Sequence, residues 1–548
     1  DFCYCERVFS PWLDMDNVMR EKGYELYSLE TKSPLKDFDV VAFTLGYEMC
    51  YTNVLQMLDL GRIPFLSKDR TENNPVVICG GPCAYNIEPM ADFFDAALMG
   101  EGEECIVEVA SVIIAYKDSG KKNRRELLIE LAKVDGVYVP SLYDAKFENG
   151  KYLGLSKIEP SVPDKIMKRI IKDLDSVSYP TNPIVPNIRI VHDRAYLELF
   201  RGCIRGCRFC QAGFICRPVR EKSPETLCRQ GIEIERNSGY DELGILSLST
   251  SDYTGLQKLT DGLLEAFEGR HSSLSLPSLR IDNFALDLME KVSQTRKSGL
   301  TFAPEAGTQR LRDVINKGIC EEDIMKSLRL AFAGGWSTVK LYFMLGLPTE
   351  TMEDIKGIAD LAQKIVDTFY EMPDKPKGKS VSVNISVSNF VPKPFTPFEF
   401  DPQISRSEIE RRQKLLTDSI KSKKIKASWH DPDISILEEV LAKGDRRISK
   451  AMYEAWKNGC KFDSWGETYD FKKWEAAFEK CGIDVSFYAN RERAYDEVFP
   501  WDHLDYYVTK EFLARENKKA KQNLTTKNCR QQCSGCGVNK AAGGECFA

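Results

Sequence analysis

Short apolar runs separated by amphipathic helical stripes recur through the first 400 residues. Residues 25–29, 39–45, 76–79 and 96–99 read as strands, and residues 51–60 as a helix. Strands alternating with helices predict a parallel sheet covered on both faces. Ligands of such sheets bind beyond the carboxyl ends of the strands. Two glycine-rich loops fall at those ends, Gly80-Gly81-Pro82 and Gly100-Glu101-Gly102-Glu103. Residues 1–150 are therefore expected to form a doubly wound, Rossmann-like domain. The chain opens on Asp1 without an initiator Met, and we expect this domain to lack its first strand.

The same rhythm returns after a proline-punctuated stretch, 151–194, read as a linker. Candidate strands are 196–200, 243–248, 273–276, 300–303, 338–344 and 381–387. Six such units predict a partial (β/α)6 TIM-like barrel over 195–400, with its chemistry at the carboxyl ends of the strands. The clearest helix, 351–369, carries Ile355, Ile358, Ala359, Ala362, Ile365, Val366 and Phe369 on one stripe, and Thr351 with Asp354 as a capping start. Beyond 400 the pattern turns helical at 406–424, 438–443, 447–458 and 471–481. Tyr453, Trp456, Trp474 and Phe478 stand there at core spacing, and the lysines of 421–426 read as a solvated helix face. A small helical extension, 401–525, and a cysteine-rich tail, 526–548, complete an α/β chain.

Composition narrows the possibilities. A chain of 548 residues with 43% hydrophobic and 29% charged residues reads as globular, and a net charge of −6 excludes a strongly basic, nucleic-acid-coating protein. No apolar run is long enough to span a bilayer, and no signal peptide is legible. The 18 cysteines fall at ligand spacing rather than as a short disulfide scaffold. The expectation is a cytoplasmic, oxygen-sensitive protein that binds metal.

The densest chemistry is Arg201-Gly-Cys-Ile-Arg-Gly-Cys-Arg-Phe-Cys210, directly after the first barrel strand. Cys203, Cys207 and Cys210 are spaced C-x3-C-x2-C. Three thiolates can hold three irons of a [4Fe–4S] cube that needs four, leaving one iron open to a small molecule. Zinc would need a fourth ligand, and Cys216 is the nearest candidate. This pattern, with Phe209 before the third cysteine, resembles the radical S-adenosylmethionine (SAM) superfamily. The resemblance implies that the open iron binds SAM, which one electron cleaves to methionine and a 5′-deoxyadenosyl radical. It also implies a reductase partner such as flavodoxin or ferredoxin. Three later strand-end motifs match the same family. Ser247-Leu-Ser-Thr-Ser-Asp252 contains Ser249 and Ser251, where the family holds the methionine amino group. Phe302-Ala-Pro-Glu-Ala-Gly-Thr308 contains Glu305, matching the carboxylate on the ribose hydroxyls. Gly346-Leu-Pro348 matches the loop along the adenine.

The loops holding Gly80, Gly81, Gly100 and Gly102 resemble those of the cobalamin-binding domain that precedes many radical SAM barrels. The resemblance implies that they accept the corrin's nucleotide tail. The Asp-x-His-x-x-Gly motif of histidine-coordinating members is absent from this sequence. In the tail, Cys529, Cys533 and Cys536 repeat C-x3-C-x2-C, and Cys546 follows. Either zinc or an auxiliary iron–sulfur cluster suits that spacing. Lys393, Arg217 and Arg220 are candidate substrate contacts. The whole chain resembles B12-binding-type radical SAM proteins with such a tail, and its barrel resembles methylthiotransferases. Cobalamin-assisted methyl transfer is the first expectation. Methylthiolation of RNA or ribosomal protein using the tail cluster is the second, and a non-catalytic iron–sulfur or RNA-binding scaffold the third.

Overall fold

The computed structural model describes every residue except 1–2, 189, 271, 277–299, 374, 377, 541–545 and 547–548. The N-terminal sheet runs in the order Val40–Thr44, Val76–Gly80, Ala96–Leu98, Val137–Tyr138; the first three strands are parallel and the last is antiparallel. Val76, Val77, Ile78 and Cys79 are all buried, as expected of a strand covered on both faces. The helix Tyr51–Leu60 packs beneath, burying Val54, Leu55 and Leu58.

Two expectations for this region are corrected. Residues 25–29 are not a strand: only an isolated bridge joins Tyr27 to Pro34. Leu26 N donates to Leu60 O (2.9 Å) and Leu35 N to Leu26 O (3.0 Å), so this backbone is engaged by a helix end and a turn. The supposed linker begins instead as the second arm of a hairpin, with Lys151–Lys157 antiparallel to Tyr143–Glu148. Its turn residues, Asn149 (φ 50°) and Gly150 (φ 78°), take the left-handed conformations that an Asn-Gly hairpin turn demands.

The barrel region holds two all-parallel sheets among the described residues. One is ordered Ser273–Ser275, Glu242–Leu246, Ala195–Glu198; the other Leu300–Glu305, Thr338–Leu345, Ser382–Asn389, Ile425–Trp429. The last strand was not expected. The charged helix stops at Ser419, and the lysine-rich stretch then leads into Ile425–Trp429, paired with Ser382–Asn389.

The helix Met352–Glu371 behaves as its stripe predicts. Thr351 N donates to Asp354 Oδ2 at 2.8 Å and the Thr351 hydroxyl accepts from Asp354 N at 3.4 Å, a reciprocal cap of about 1 kcal/mol. Its apolar face is buried against the second sheet, each large side chain contributing about 1.5–3 kcal/mol. Trp474 and Phe478 are core residues, and Tyr453 and Trp456 pack partly buried against Phe65.

Candidate active site

The cysteine loop leaves the strand Phe200–Arg201 and is pinned from below. Gly202 takes φ 87°, and a Cβ there would stand 2.6 Å from Pro218 O, so only glycine fits. Arg208 is fully buried. Its guanidinium donates to Val314 O (2.8 Å) and Leu524 O (2.7 Å) and pairs with Glu516 at 3.0 Å. The loop is therefore anchored at Gly202 and Arg208, on either side of Cys203 and Cys207. Burial pushes the Cys203 thiol up to about 11 and the Cys210 thiol up to about 12, with neighbouring Cys207 adding to both. As free thiols they hold their protons at neutral pH. A metal that claims them must displace those protons.

No three Cys, His, Asp or Glu side chains among the described residues converge on a single-ion site. A structural zinc usually takes four ligands, and this loop offers three thiols. The three-thiol donor set fits an iron–sulfur cluster.

The other motifs gather around this loop. Arg205, between the first two cysteines, pairs with Asp252 at 2.9 and 2.5 Å, and Asp252 in turn accepts from the Ser249 hydroxyl at 2.6 Å. The 247–252 loop is thus bolted to the cysteine loop. Phe209 packs against the apolar cluster formed by Ala306, Leu311, Leu347 and Phe390, which joins the Glu305 and Gly346–Pro348 motifs to the third cysteine. Glu305 sits past an irregularity in the pairing of Leu300–Glu305 and takes φ 68°. Such a backbone costs about 1–3 kcal/mol and tends to occur where a side chain is being aimed. Lys317 pairs with the Glu305 carboxylate at 3.0 Å and lies 5.7 Å from the Phe209 ring. Gly346 (φ 89°) donates its N–H to Glu350 at 2.9 Å, and Glu350 is itself paired with Arg412. Burial pushes Glu350 up to about 7 despite Arg412 beside it.

A cavity of about 560 Å³ lies between the two regions. Gly81, Gly100 and Gly102 line it from the N-terminal sheet; Gly202, Ser247 and Cys216 line it from the barrel. Ion pairs join the walls: Arg201 to Glu103 at 2.5 Å and Arg220 to Glu101 at 2.7 Å. Lys168 is buried in the wall, donating to Ile215 O (2.9 Å) and Arg217 O (2.6 Å); burial depresses it to about 8.

The glycines are less free than their motif suggested. A Cβ on Gly81 would meet Leu45 O at 2.8 Å, and one on Gly100 would strike the backbone of Arg169. Their absent side chains serve the protein's own packing. Gly80 is not in the cavity wall, whereas Gly102 has nothing within 4 Å of where a Cβ would stand.

The three candidate substrate contacts all have partners within the chain. Lys393 is held by Glu48 (2.7 Å) and Glu438 (2.8 Å). Arg220 is held by Glu101, and Arg217 is buried at 4% exposure, donating to Gly213 O and Arg205 O. Arg205, Lys168 and Lys317 were not anticipated. Arg205 had a signal, its place inside the cysteine loop, but its acidic partner lies 47 residues away.

A profile of the radical SAM superfamily matches residues 197–362, and one described as radical SAM proteins, N-terminal, matches residues 1–140. The chain belongs to the radical SAM superfamily and is a radical SAM enzyme; the class carries a [4Fe–4S] cluster, binds SAM and needs a reductant. Among its relatives, the protein MJ0966 of Methanocaldococcus jannaschii is 31% identical over 442 residues, covering 79% of this chain and 83% of that protein. A putative methylthiotransferase of the same organism, MJ0865, is 24% identical over 243 residues, 42% of this chain and 53% of that protein. Among solved structures, the radical SAM methyltransferase TsrM from Kitasatospora setae, with cobalamin and a [4Fe–4S] cluster bound, is 12% identical with a TM-score of 0.43, covering 71% of this chain and 66% of that one. No described helix is long and apolar enough to cross a membrane.

Proposed function

We propose that Cys203, Cys207 and Cys210 hold the cluster and that SAM docks on its open iron. The bound cluster supplies the electron that cleaves SAM. Around it, Ser249 and Ser251 orient the methionine end, Glu305 accepts from the ribose hydroxyls, and Gly346 and Pro348 run along the adenine. Arg205 and Asp252 act through position, locking the methionine loop to the cysteine loop. Phe209 does the same for the adenosine side through its apolar cluster.

The substrate's reacting carbon would then meet the radical in the cavity between the two sheets. Its volume lies within the range of roughly 300–1,000 Å³ usual for small-molecule sites. One observation carries the reading of group transfer: carboxyl-end loops of both sheets open onto this same space, so a group held by one sheet faces a substrate activated by the other. A cobalamin held beside Gly102 would supply a methyl carrier there. The close packing of Gly81 and Gly100 leaves it less of a cradle than the motif implies. Anaerobic reconstitution followed by cobalt analysis tests this. Bound cobalt near one per chain supports cobalamin-assisted methyl transfer, and its absence after loading with cobalamin removes it.

The second reading is methylthiolation, with RNA or ribosomal protein as substrate. It is favoured by the relative named as a putative methylthiotransferase and by the cysteine-rich tail packed on the cluster loop, where Cys529 N donates to Ile204 O at 3.0 Å. Either chemistry suits a reducing, cytoplasmic setting with a flavodoxin or ferredoxin as donor.

A further inference from the structure

The tail is stitched onto the cysteine loop. Asn316 accepts from Thr526 N (2.8 Å) and donates to Thr526 O (3.1 Å) and to Gly206 O (3.0 Å), inside the Cys203–Cys210 turn. Cys529 pairs through its backbone with Ile204, the residue after Cys203. Arg530 is paired with Glu221 at 2.7 Å, and Thr509 N donates to Cys536 O at 3.0 Å. Gly537 (φ 104°) lies so close to Tyr507 O that a Cβ would stand 2.6 Å away. Two C-x3-C-x2-C segments are therefore held back to back by specific backbone bonds.

Arg217 is buried between them. Its Nε donates to Gly213 O at 2.9 Å and its Nη2 to Arg205 O at 3.1 Å, both uncharged acceptors; Nη1 makes no hydrogen bond, and the Cys536 thiol lies within reach of the guanidinium. Phe214 and Phe512 pack on the guanidinium at 4.8 and 5.9 Å. Its charged-group neighbours are the Cys203, Cys529 and Cys536 thiols. Leaving a buried cation without an anion costs several kcal/mol. Metal-bound thiolates would supply the missing negative charge; protonated thiols would not.

We infer that Cys529, Cys533 and Cys536, with Cys546 as the fourth ligand, hold a second iron–sulfur cluster, and that Arg217 is the buried counter-cation shared by both cysteine sets. The four tail thiols neighbour one another. Four ligands would fill every corner, so this centre leaves no iron open to SAM. The inference does not depend on SAM binding to the first cluster, because each cysteine set can be removed alone.

The test uses full-length chains reconstituted anaerobically with iron and sulfide, with folding checked by circular dichroism. Wild type should hold about eight irons and eight sulfides, and C203A/C207A/C210A and C529A/C533A/C536A about four each. About four irons in wild type, unchanged in the tail variant, would overturn the proposal. One zinc in place of the tail iron would overturn it equally. In the C203A/C207A/C210A background, R217M should lose more than half of the remaining iron or lower its reduction potential, and R217K should restore both. Identical iron content and potential in R217M would remove Arg217 from the account.

Discussion

The carboxyl-end loops of the N-terminal sheet and of the barrel look equally functional in the sequence, yet they are built differently. Around the barrel, motif side chains interlock: Arg205 with Asp252 and Ser249, Lys317 with Glu305, Phe209 with Ala306 and Leu347. In the N-terminal sheet, Gly81 and Gly100 are occupied by close approaches of Leu45 and Arg169. A motif made of ligating or charged side chains states its chemistry directly. A glycine motif states only that something comes close, and here that something is the protein's own backbone.

The sharpest way to break this contrast is at the cysteines. Cys203→Ala should abolish 5′-deoxyadenosine formation, measured by chromatography after reduction with SAM, to the level seen without enzyme. Next comes Asp252→Asn, which removes the carboxylate from the Arg205–Asp252 pair, whose side chains are only 16% and 3% exposed. Breaking such a pair costs about 3–5 kcal/mol, and SAM binding by calorimetry should weaken at least tenfold. Adding Arg205→Met should recover part of the lost thermal stability.

Glu305→Gln removes a charge-assisted acceptor worth about 1.5–3 kcal/mol. SAM should bind roughly 10–100-fold more weakly, with the circular dichroism spectrum unchanged. Gly100→Ala should act in the opposite manner, lowering stability by about 1–3 kcal/mol in a denaturant titration while SAM cleavage per folded molecule stays the same. Were Gly100→Ala to weaken a corrinoid without destabilising the fold, the contrast between the two regions would fail.

The smallest expected effect is a pH dependence. Glu399 is buried, accepting from Phe395 N (2.8 Å) and Trp501 Nε1 (3.0 Å), and burial pushes it up to about 7 from 4.5. Below the lower value both folded and unfolded chains hold the proton. As pH rises between the two values the unfolded chain ionises first, so the folded state loses stability until about pH 7. Glu399→Gln should flatten that part of the curve of unfolding free energy against pH.

Much of this was legible in the sequence where one face of an element is plainly apolar. Strands 338–344 and 381–387 and the helix after Thr351 are found within one or two residues of their expected bounds. The strand Ile425–Trp429 was hidden because lysines crowd its start and only Ile425 is buried. The pair Arg205–Asp252 was illegible for another reason: spacing along a chain carries no information on which distant loops meet. The same holds for Arg217, whose surroundings come from Phe214, Phe512 and two cysteine segments more than 300 residues apart.

The claim on which the proposed function rests is that Cys203, Cys207 and Cys210 leave one iron for SAM. The direct measurement is the electron paramagnetic resonance spectrum of the reduced C529A/C533A/C536A protein, taken with and without SAM. A cluster signal that changes when SAM is added is the predicted result. A signal indifferent to SAM would show that every corner is already taken and would contradict the account.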